Sequence, residues 1–183
     1  MLVDDDPFGS AVIARPAPAP AAPVIPMRGG KPVTVTLPSP PSANRYWRSR
    51  VIQPKAGPAI VSTYVSTEAK QFKESAGWLL KAAGIRQPFA GRVQVDLQLY
   101  PHRPLDWKKR LKADPLYWAD TVQRIDADNA LKVTLDSLKD IAFGDDRAVW
   151  KASVEVMEPD GRDACVVVTI TPLVKSNPQE GLL

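Results

Sequence analysis

The chain contains a single cysteine, Cys165, and a single histidine, His102. One thiol excludes an internal disulfide and a zinc site built from several thiolates. One imidazole cannot supply a zinc triad, and a lone histidine is more often structural than catalytic. No Cys-His pair or Gly-x-Ser-x-Gly motif is evident, so covalent hydrolytic catalysis has no candidate nucleophile. Three valines follow Cys165, which predicts a buried strand position in a protein from a reducing compartment.

Long apolar runs are also missing. No stretch of about 18 apolar residues occurs, which predicts that no segment spans a membrane. Asp4, Asp5 and Asp6 stand where a secretory signal would be basic, which argues against export. These features together predict a cytoplasmic protein.

The first 30 residues contain six prolines and six alanines but few large apolar side chains. Such a segment buries too little surface to offset its ordering entropy, so residues 1–31 are predicted to form a disordered or extended tail. Residues 32–173 are predicted to form one domain, and residues 174–183 a C-terminal tail. At 183 residues, the chain is long enough for one domain with a real core.

Within the domain, alternating apolar residues predict strands at 33–37, 92–100, 148–157 and 164–172. The turn at 158–161 joins the last two. Helical spacing predicts helices at 67–83, capped by Ser66 or Thr67, and from 127 or 128 to 141. The segments at 44–50 and 101–123 are interpreted as a loop and a polar connection. This order indicates an α/β fold of the α+β type, with a small mixed sheet and two main helices packed on it.

The charge is unevenly distributed along the chain. Residues 42–110 hold 13 Lys/Arg against 4 Asp/Glu, whereas residues 111–160 hold 6 against 11. A basic half beside an acidic focus suits a protein that holds a polyanion and presents metal-binding carboxylates to it. A solvated surface of mixed charge is the alternative.

The acidic focus contains a patterned set of carboxylates. Asp126 and Asp128 are two residues apart at the start of the second predicted helix, and Lys132 and Asp136 follow at four-residue steps. A Gly-Asp-Asp turn follows the helix at residues 144–146. Two or three convergent carboxylates are the ligands that a hard divalent cation needs, and a lysine one helical turn away could stabilise charge on a phosphate.

Each member of this set also has a plainer interpretation. Asp126 or Asp128 could cap the helix. Lys132 and Asp136 could form an ordinary surface ion pair, and Asp145 and Asp146 could be turn formers. Position and spacing alone leave these alternatives open.

The residues of this segment resemble the RusA family of Holliday junction resolvases. The run Asp126-Ala127-Asp128-Asn129-Ala130-Leu131-Lys132 is similar to the family's Asp-x-Asp-Asn-x-x-Lys motif. Leu135-Asp136-Ser137-Leu138 and Asp145-Asp146 follow in the family's order, although the connection at 139–144 is about one residue shorter than in the family. Upstream, Pro41-Ser42-Ala43-Asn44 resembles the family's start after the first strand. In this chain Ile125 stands where family members often have a proline, and the segment 102–123 is longer than the compact pattern.

The resemblance implies a small homodimer that cuts four-way DNA junctions symmetrically with Mg²⁺, for which Mn²⁺ could substitute, in DNA recombination or repair. It implies metal ligation by Asp126, Asp128 and Asp146, and a catalytic positive charge at Lys132. Supporting roles fall to Asn129, Asp136 and Asp145. It also points to a bacterial or phage-encoded protein.

Seven basic residues are interpreted as DNA-binding: Arg45, Arg48, Arg50, Lys108, Lys109, Arg110 and Arg124. Basic and aromatic residues alternate within 102–123, so that segment could grip DNA or could instead be a lid or dimer-flanking loop. Two other functions stay open: a non-catalytic DNA-binding module that retains the fold, and a metal-binding protein acting on small phosphates.

Overall fold

The computed structural model describes residues 27–175. The predicted tails therefore lie outside the described residues at positions 1–26 and 176–183. A short first strand, β1 (Met27–Gly29), and a long last strand, β7 (Cys165–Lys175), carry the sheet a few residues past the predicted domain limits.

The strand β5 (Arg92–Tyr100) lies at the centre of the main sheet. Its apolar residues Val93, Val95, Leu97 and Leu99 are at most 2% exposed, which confirms the strand predicted from their alternation. The strand β7 pairs antiparallel along one side of β5, and β6 (Val149–Val156) pairs parallel along the other. On the far edge of β7, β1 and β2 (Val33–Pro38) pair one after the other, giving five strands in a mixed sheet.

The turn at 158–161 consequently joins two strands that do not pair with each other, because β5 lies between β6 and β7. Parallel pairing of β5 with β6 requires a long crossover connection. Residues 101–148 form it, and they include the helix α4 (Ala127–Leu138). This crossover carries the whole acidic segment to one end of the sheet.

The helix α2 (Thr67–Ala82) begins as predicted, because the Ser66 hydroxyl accepts a hydrogen bond from the Ala69 N–H at 3.2 Å. It ends before Gly84, whose φ of 96° a glycine adopts without strain. Its buried face consists of Ala69, Phe72, Ala76 and Leu80. Helical spacing predicts Phe72, Ala76, Leu79 and Ala83 on one buried face, but Leu79 is 38% exposed and Ala83 is exposed as well.

The helix α4 is shorter than predicted. It ends at Leu138 instead of Ile141, since Asp140 adopts a φ of 67° that no α-helix contains. Helical spacing predicts an apolar stripe of Leu131, Leu135, Leu138 and Ala142. The buried residues of α4 are instead Ala130, Val133, Thr134, Ser137 and Leu138, and Leu131 and Leu135 are half-buried. The helix packs against both α2 and the β5–β6 side of the sheet, so more than one of its faces is covered. No helix within residues 27–175 has the length and apolar character needed to cross a membrane.

The predicted loop at 44–50 is wrong. A short helical turn, α1 (Ala43–Tyr46), leads into a hairpin of β3 (Trp47–Ile52) and β4 (Ile60–Val65), which pair antiparallel. All six residues of β3 are exposed, so no apolar alternation toward a core marks this strand in the sequence. The polar connection likewise contains a helix, α3 (Trp107–Ala113). The ring centres of Trp107, its first residue, and Trp118 are 6.2 Å apart.

Candidate active site

Asp126 lies at the N-cap position of α4, with the extended backbone expected there. Its carbonyl oxygen accepts the first helical hydrogen bond from Ala130, but its carboxylate caps no backbone N–H. The carboxylate instead accepts a hydrogen bond from the Asn129 side chain at 3.3 Å. The capping interpretation is therefore wrong for this side chain, and most of the oxygen lone pairs of the exposed carboxylate face solvent.

Asp128 and Lys132 are exposed on the first two turns of α4. Among residues 27–175, no hydrogen bond or ion pair engages the Asp128 carboxylate. The expected surface pair of Lys132 and Asp136 does not form within 4.0 Å in this part of the chain either. A carboxylate and an ammonium group one helical turn apart are thus both available to a ligand.

Asp136 is half-buried one turn after Lys132. Burial raises the pKa of its carboxyl group, and the negative charge of Asp146 raises it further. The positive charges of Lys132, Lys139 and Lys73 oppose the rise but do not cancel it. The charge of Asp146 therefore acts on the Asp136 carboxyl group and disfavours its ionised form.

The raised pKa of Asp136 makes the free energy of unfolding depend on pH. A carboxyl group with a raised folded-state pKa favours folding below its unfolded pKa, about 3.9, and this contribution is lost as pH rises through the folded value. We expect Asp136→Asn to be more stable than wild type at pH 7, with the difference disappearing near pH 4. Urea denaturation of both proteins at the two pH values measures it. A variant that is less stable at pH 7 would show that the ionised carboxylate is a net stabilising group.

Asp145 and Asp146 differ in the hydrogen bonds and ion pairs that their carboxylates form. Asp145 begins a 3-10 turn at residues 146–148: its carboxylate accepts hydrogen bonds from the Arg147 N–H at 3.0 Å and from the Lys139 ammonium at 3.3 Å. The backbone bond from Arg147 and then the Lys139 bond hold its pKa below the usual range. Asp146 lies at the longer distance of 3.9 Å from Lys139. Asp145 is thus the turn former of the pair, and Asp146 keeps its carboxylate more available.

The helix separates the acidic residues into two groups. Asp128 and Asp136 are eight residues apart on α4, a rise of about 12 Å. One ion cannot be bound directly by both, since magnesium–oxygen distances are about 2.0–2.1 Å. Within residues 27–175, no three Asp, Glu, His or Cys side chains already converge on a metal position. The structure holds Asp126 beside Asn129, and the charge of Asp146 acts on Asp136, but the described residues do not assemble the predicted ligands into one cluster.

The basic residues predicted to bind DNA differ in their exposure and in the ion pairs that they form. Arg48 and Arg50 lie on the exposed strand β3, and the Arg50 guanidinium lies 5.6 Å from the ring centre of Tyr64. Arg45 forms an exposed ion pair with Glu68. Arg124, Lys108 and Lys109 are exposed, the lysines on α3 and Arg124 two residues before Asp126.

Arg110 is the exception among these basic residues. Its guanidinium binds Asp106 at 2.9 Å and donates to both the carbonyl and the hydroxyl oxygen of Thr121. It therefore ties α3 to the 3-10 turn at 118–121, a structural task that competes with DNA contact.

Comparison with known families gives one decisive match. The family model described as endodeoxyribonuclease RusA covers residues 38–171, well over half of the chain. The chain belongs to the RusA endodeoxyribonuclease family. A search of curated proteins found no match. Family membership indicates a DNA-cutting nuclease, and the matched region contains the hairpin, α2, β5, β6, most of β7 and the acids from Asp126 to Asp146.

The donor set suits the metal generally associated with RusA nucleases. Asp126, Asp128 and Asp146 offer exposed carboxylate oxygens and no sulfur or imidazole ligands, as a hard divalent cation prefers. Magnesium takes only one or two protein carboxylates and completes its shell with water and phosphate oxygens. The exposed pair at the start of α4 therefore fits such an ion without a fully assembled protein cage.

Two lysines near the RusA-family acids were missed from the sequence. Lys139 forms ion pairs with both Asp145 and Asp146. Lys73, on α2, acts on Asp136 through its positive charge, which lowers the pKa of that carboxyl group. Lys139 could have been found from the sequence, because it follows Lys132 by seven residues, about two helical turns. The effect of Lys73 depends on the packing of α2 against α4, which no local spacing reveals.

Proposed function

We propose that the chain is a magnesium-dependent endodeoxyribonuclease that resolves four-way junctions or related branched DNA by phosphodiester hydrolysis. The proposal rests on the accessibility of the Asp126 and Asp128 carboxylates at the start of α4. Asp126 occupies the N-cap without capping, and the Asp128 carboxylate has no partner among residues 27–175. Within the described residues, the Asp126 carboxylate is hydrogen-bonded to Asn129 alone and Lys132 forms no ion pair. Accessible carboxylates of this kind, beside an available lysine, are what a phosphate-bound cation requires.

Asp126, Asp128 and Asp146 would hold the ion, which supplies charge neutralisation at the scissile phosphate and lowers the pKa of the attacking water. Lys132, one turn beyond Asp128, would place its ammonium where negative charge develops on the phosphate oxygens. The water oxygen would form a new bond to phosphorus and release a proton to solvent, while the bond from phosphorus to the leaving sugar oxygen breaks and that oxygen takes up a proton from solvent. Asn129 would orient Asp126 through their hydrogen bond, and Asp145 would fix the turn that presents Asp146.

Symmetric resolution of a junction needs two active sites related by a two-fold axis, so we propose a homodimer. The exposed Arg48 and Arg50 of the hairpin and Lys108 and Lys109 of α3 would contact the DNA backbone. This activity suits DNA recombination or repair in the cytoplasm of a bacterium or a phage-infected cell.

The proposal is tested by incubating a labelled four-way junction with the protein and Mg²⁺. Wild type is expected to make paired cuts near the branch point. Lys132→Gln is expected to slow cleavage by roughly 10²–10³-fold, the usual effect of removing one preorganised group that stabilises developing charge. Single-turnover kinetics with excess protein measure the rate without interference from product release.

Lys151→Gln is the matched control, since Lys151 is an exposed lysine of β6, opposite Gln94 on the sheet face turned away from the core. It should cleave at the wild-type rate. Binding of the junction without any Mg²⁺-dependent cleavage by wild type would contradict the proposal and favour a non-catalytic DNA-binding module. Failure to bind DNA at moderate salt would favour action on small phosphates.

A further inference from the structure

One exposed face of α2 has a composition that the proposed active site does not explain. The side chain of Trp78 is 75% exposed, although tryptophan is normally largely buried. Three lysines, Lys70, Lys73 and Lys81, lie on the same face at helical spacing. Together with Ile141 they line a shallow surface groove, hereafter the α2 groove.

The α2 groove leads toward the candidate active site. Lys70 and Lys73 also line a neighbouring groove whose other walls include Trp47 and Asp136. The two grooves therefore meet at these lysines and run from Trp78 to the base of the hairpin, passing Asp136. The positive charge of Lys73 already acts on Asp136, which lies one helical turn beyond Lys132.

The shape of the α2 groove depends on a close approach of two elements. A Cβ atom placed on Gly77 would lie 3.4 Å from Ile141 Cδ1. A larger side chain at this position would fill the floor of the groove.

The charge of the α2 groove favours a negatively charged ligand. Its lining contains three lysines and one acid, Glu74. A two-fold contact between copies of the chain would bring this excess positive charge against itself. A polyanion is complementary to it, and exposed tryptophan is a side chain on which nucleic-acid bases stack. The Lys81 ammonium lies over the Trp78 ring, 5.9 Å from its centre, so the positive charge and the aromatic surface are close enough to contact the same nucleotide strand.

We propose that the α2 groove binds one strand of the branched DNA, with the lysines at successive phosphates and Trp78 stacked on a base exposed near the branch point. The inference rests on the proposed function and extends its DNA contact onto a helix that carries none of the residues expected at DNA. It assigns the groove to strand binding and leaves cleavage to the acids of α4.

The test measures binding of a fluorescent four-way junction by anisotropy, in EDTA, over a range of salt concentrations. The double variant Lys70→Gln/Lys81→Gln is expected to bind about tenfold more weakly at moderate salt. The slope of log K against log salt should also fall by about 2, because two phosphate contacts are lost. Trp78→Ala should weaken binding about tenfold with the slope unchanged, and Trp78→Phe should restore most of it.

Matched controls are Lys151→Gln and Trp150→Ala on β6, another exposed lysine and tryptophan of the same protein. Both should bind like wild type. A wild-type salt slope in the double variant, or loss of a dimer in Trp78→Ala by light scattering, would overturn the α2 groove as a DNA site. The two proposals fail separately. Binding that depends on the groove without cleavage contradicts only the nuclease, and cleavage insensitive to all three changes contradicts only the groove.

Discussion

Asp128→Asn is expected to lower the rate of Mg²⁺-dependent junction cleavage by roughly 10³-fold. The substitution keeps the shape of the side chain but removes the negative charge that a cation needs. Loss of several kcal/mol of metal-assisted stabilisation at the phosphate corresponds to about this factor. Because an acid is removed from a DNA-facing surface, binding measured by anisotropy in EDTA should be retained or slightly tighter.

Asp140→Asn is the matched control for this prediction. Asp140 is exposed two residues past the end of α4, and asparagine tolerates its positive φ of 67° as readily as aspartate does. Its cleavage rate should equal that of wild type. Equal rates for Asp128→Asn and wild type would remove Asp128 from the active site, whereas a parallel loss in both variants would indicate a general effect of charge.

Phe143→Ala is expected to lower the free energy of unfolding by about 3–5 kcal/mol. Phe143 is one of the largest side chains that the fold buries completely, and it follows the turn that ends α4. Its carbonyl oxygen accepts a hydrogen bond from the Asp140 N–H at 2.8 Å, so the ring anchors this turn against the core. The loss would be a large part of the roughly 5–15 kcal/mol that stabilises a typical domain.

Urea denaturation followed by circular dichroism measures this change, with Phe143→Leu as control. Leucine keeps much of the buried volume and is expected to cost less than about 1.5 kcal/mol. The Asp-Asp pair begins two residues after Phe143, so the alanine variant should also lose cleavage activity under conditions where it is still folded. A destabilisation below about 1 kcal/mol would show that the turn is held by other contacts.

The main sheet could be predicted because its strands bury one face and expose the other. Val93 to Leu99 alternate in the sequence as they do in burial, and the helix start at Ser66 follows from a local hydrogen bond. The end of α4 could not be predicted from its apolar pattern. Ile141 and Ala142 continue that pattern, but the positive φ of Asp140 stops the helix before them.

The hairpin was missed for a different physical reason. Apart from Val65 at the end of β4, its strands pack little against the core, and apolar residues such as Val51 and Val61 are exposed. The sequence of the hairpin therefore shows no alternation of buried and exposed residues. The β-branched composition of its strands was the available signal. Sequence spacing likewise placed Asp126, Asp128 and Lys132 correctly along one helix start. It could not foresee how Lys139 divides its contacts between Asp145 and Asp146, because that depends on the turn between helix and strand.

The most direct test of the central claim is a crystal structure of the protein with Mn²⁺ and an uncleaved junction strand, with the ion located by its anomalous scattering. We expect an anomalous peak bound by carboxylate oxygens of Asp126, Asp128 and Asp146, with the Lys132 ammonium at the same phosphate. A peak held by other residues, or DNA bound with no ion beside the start of α4, would contradict it.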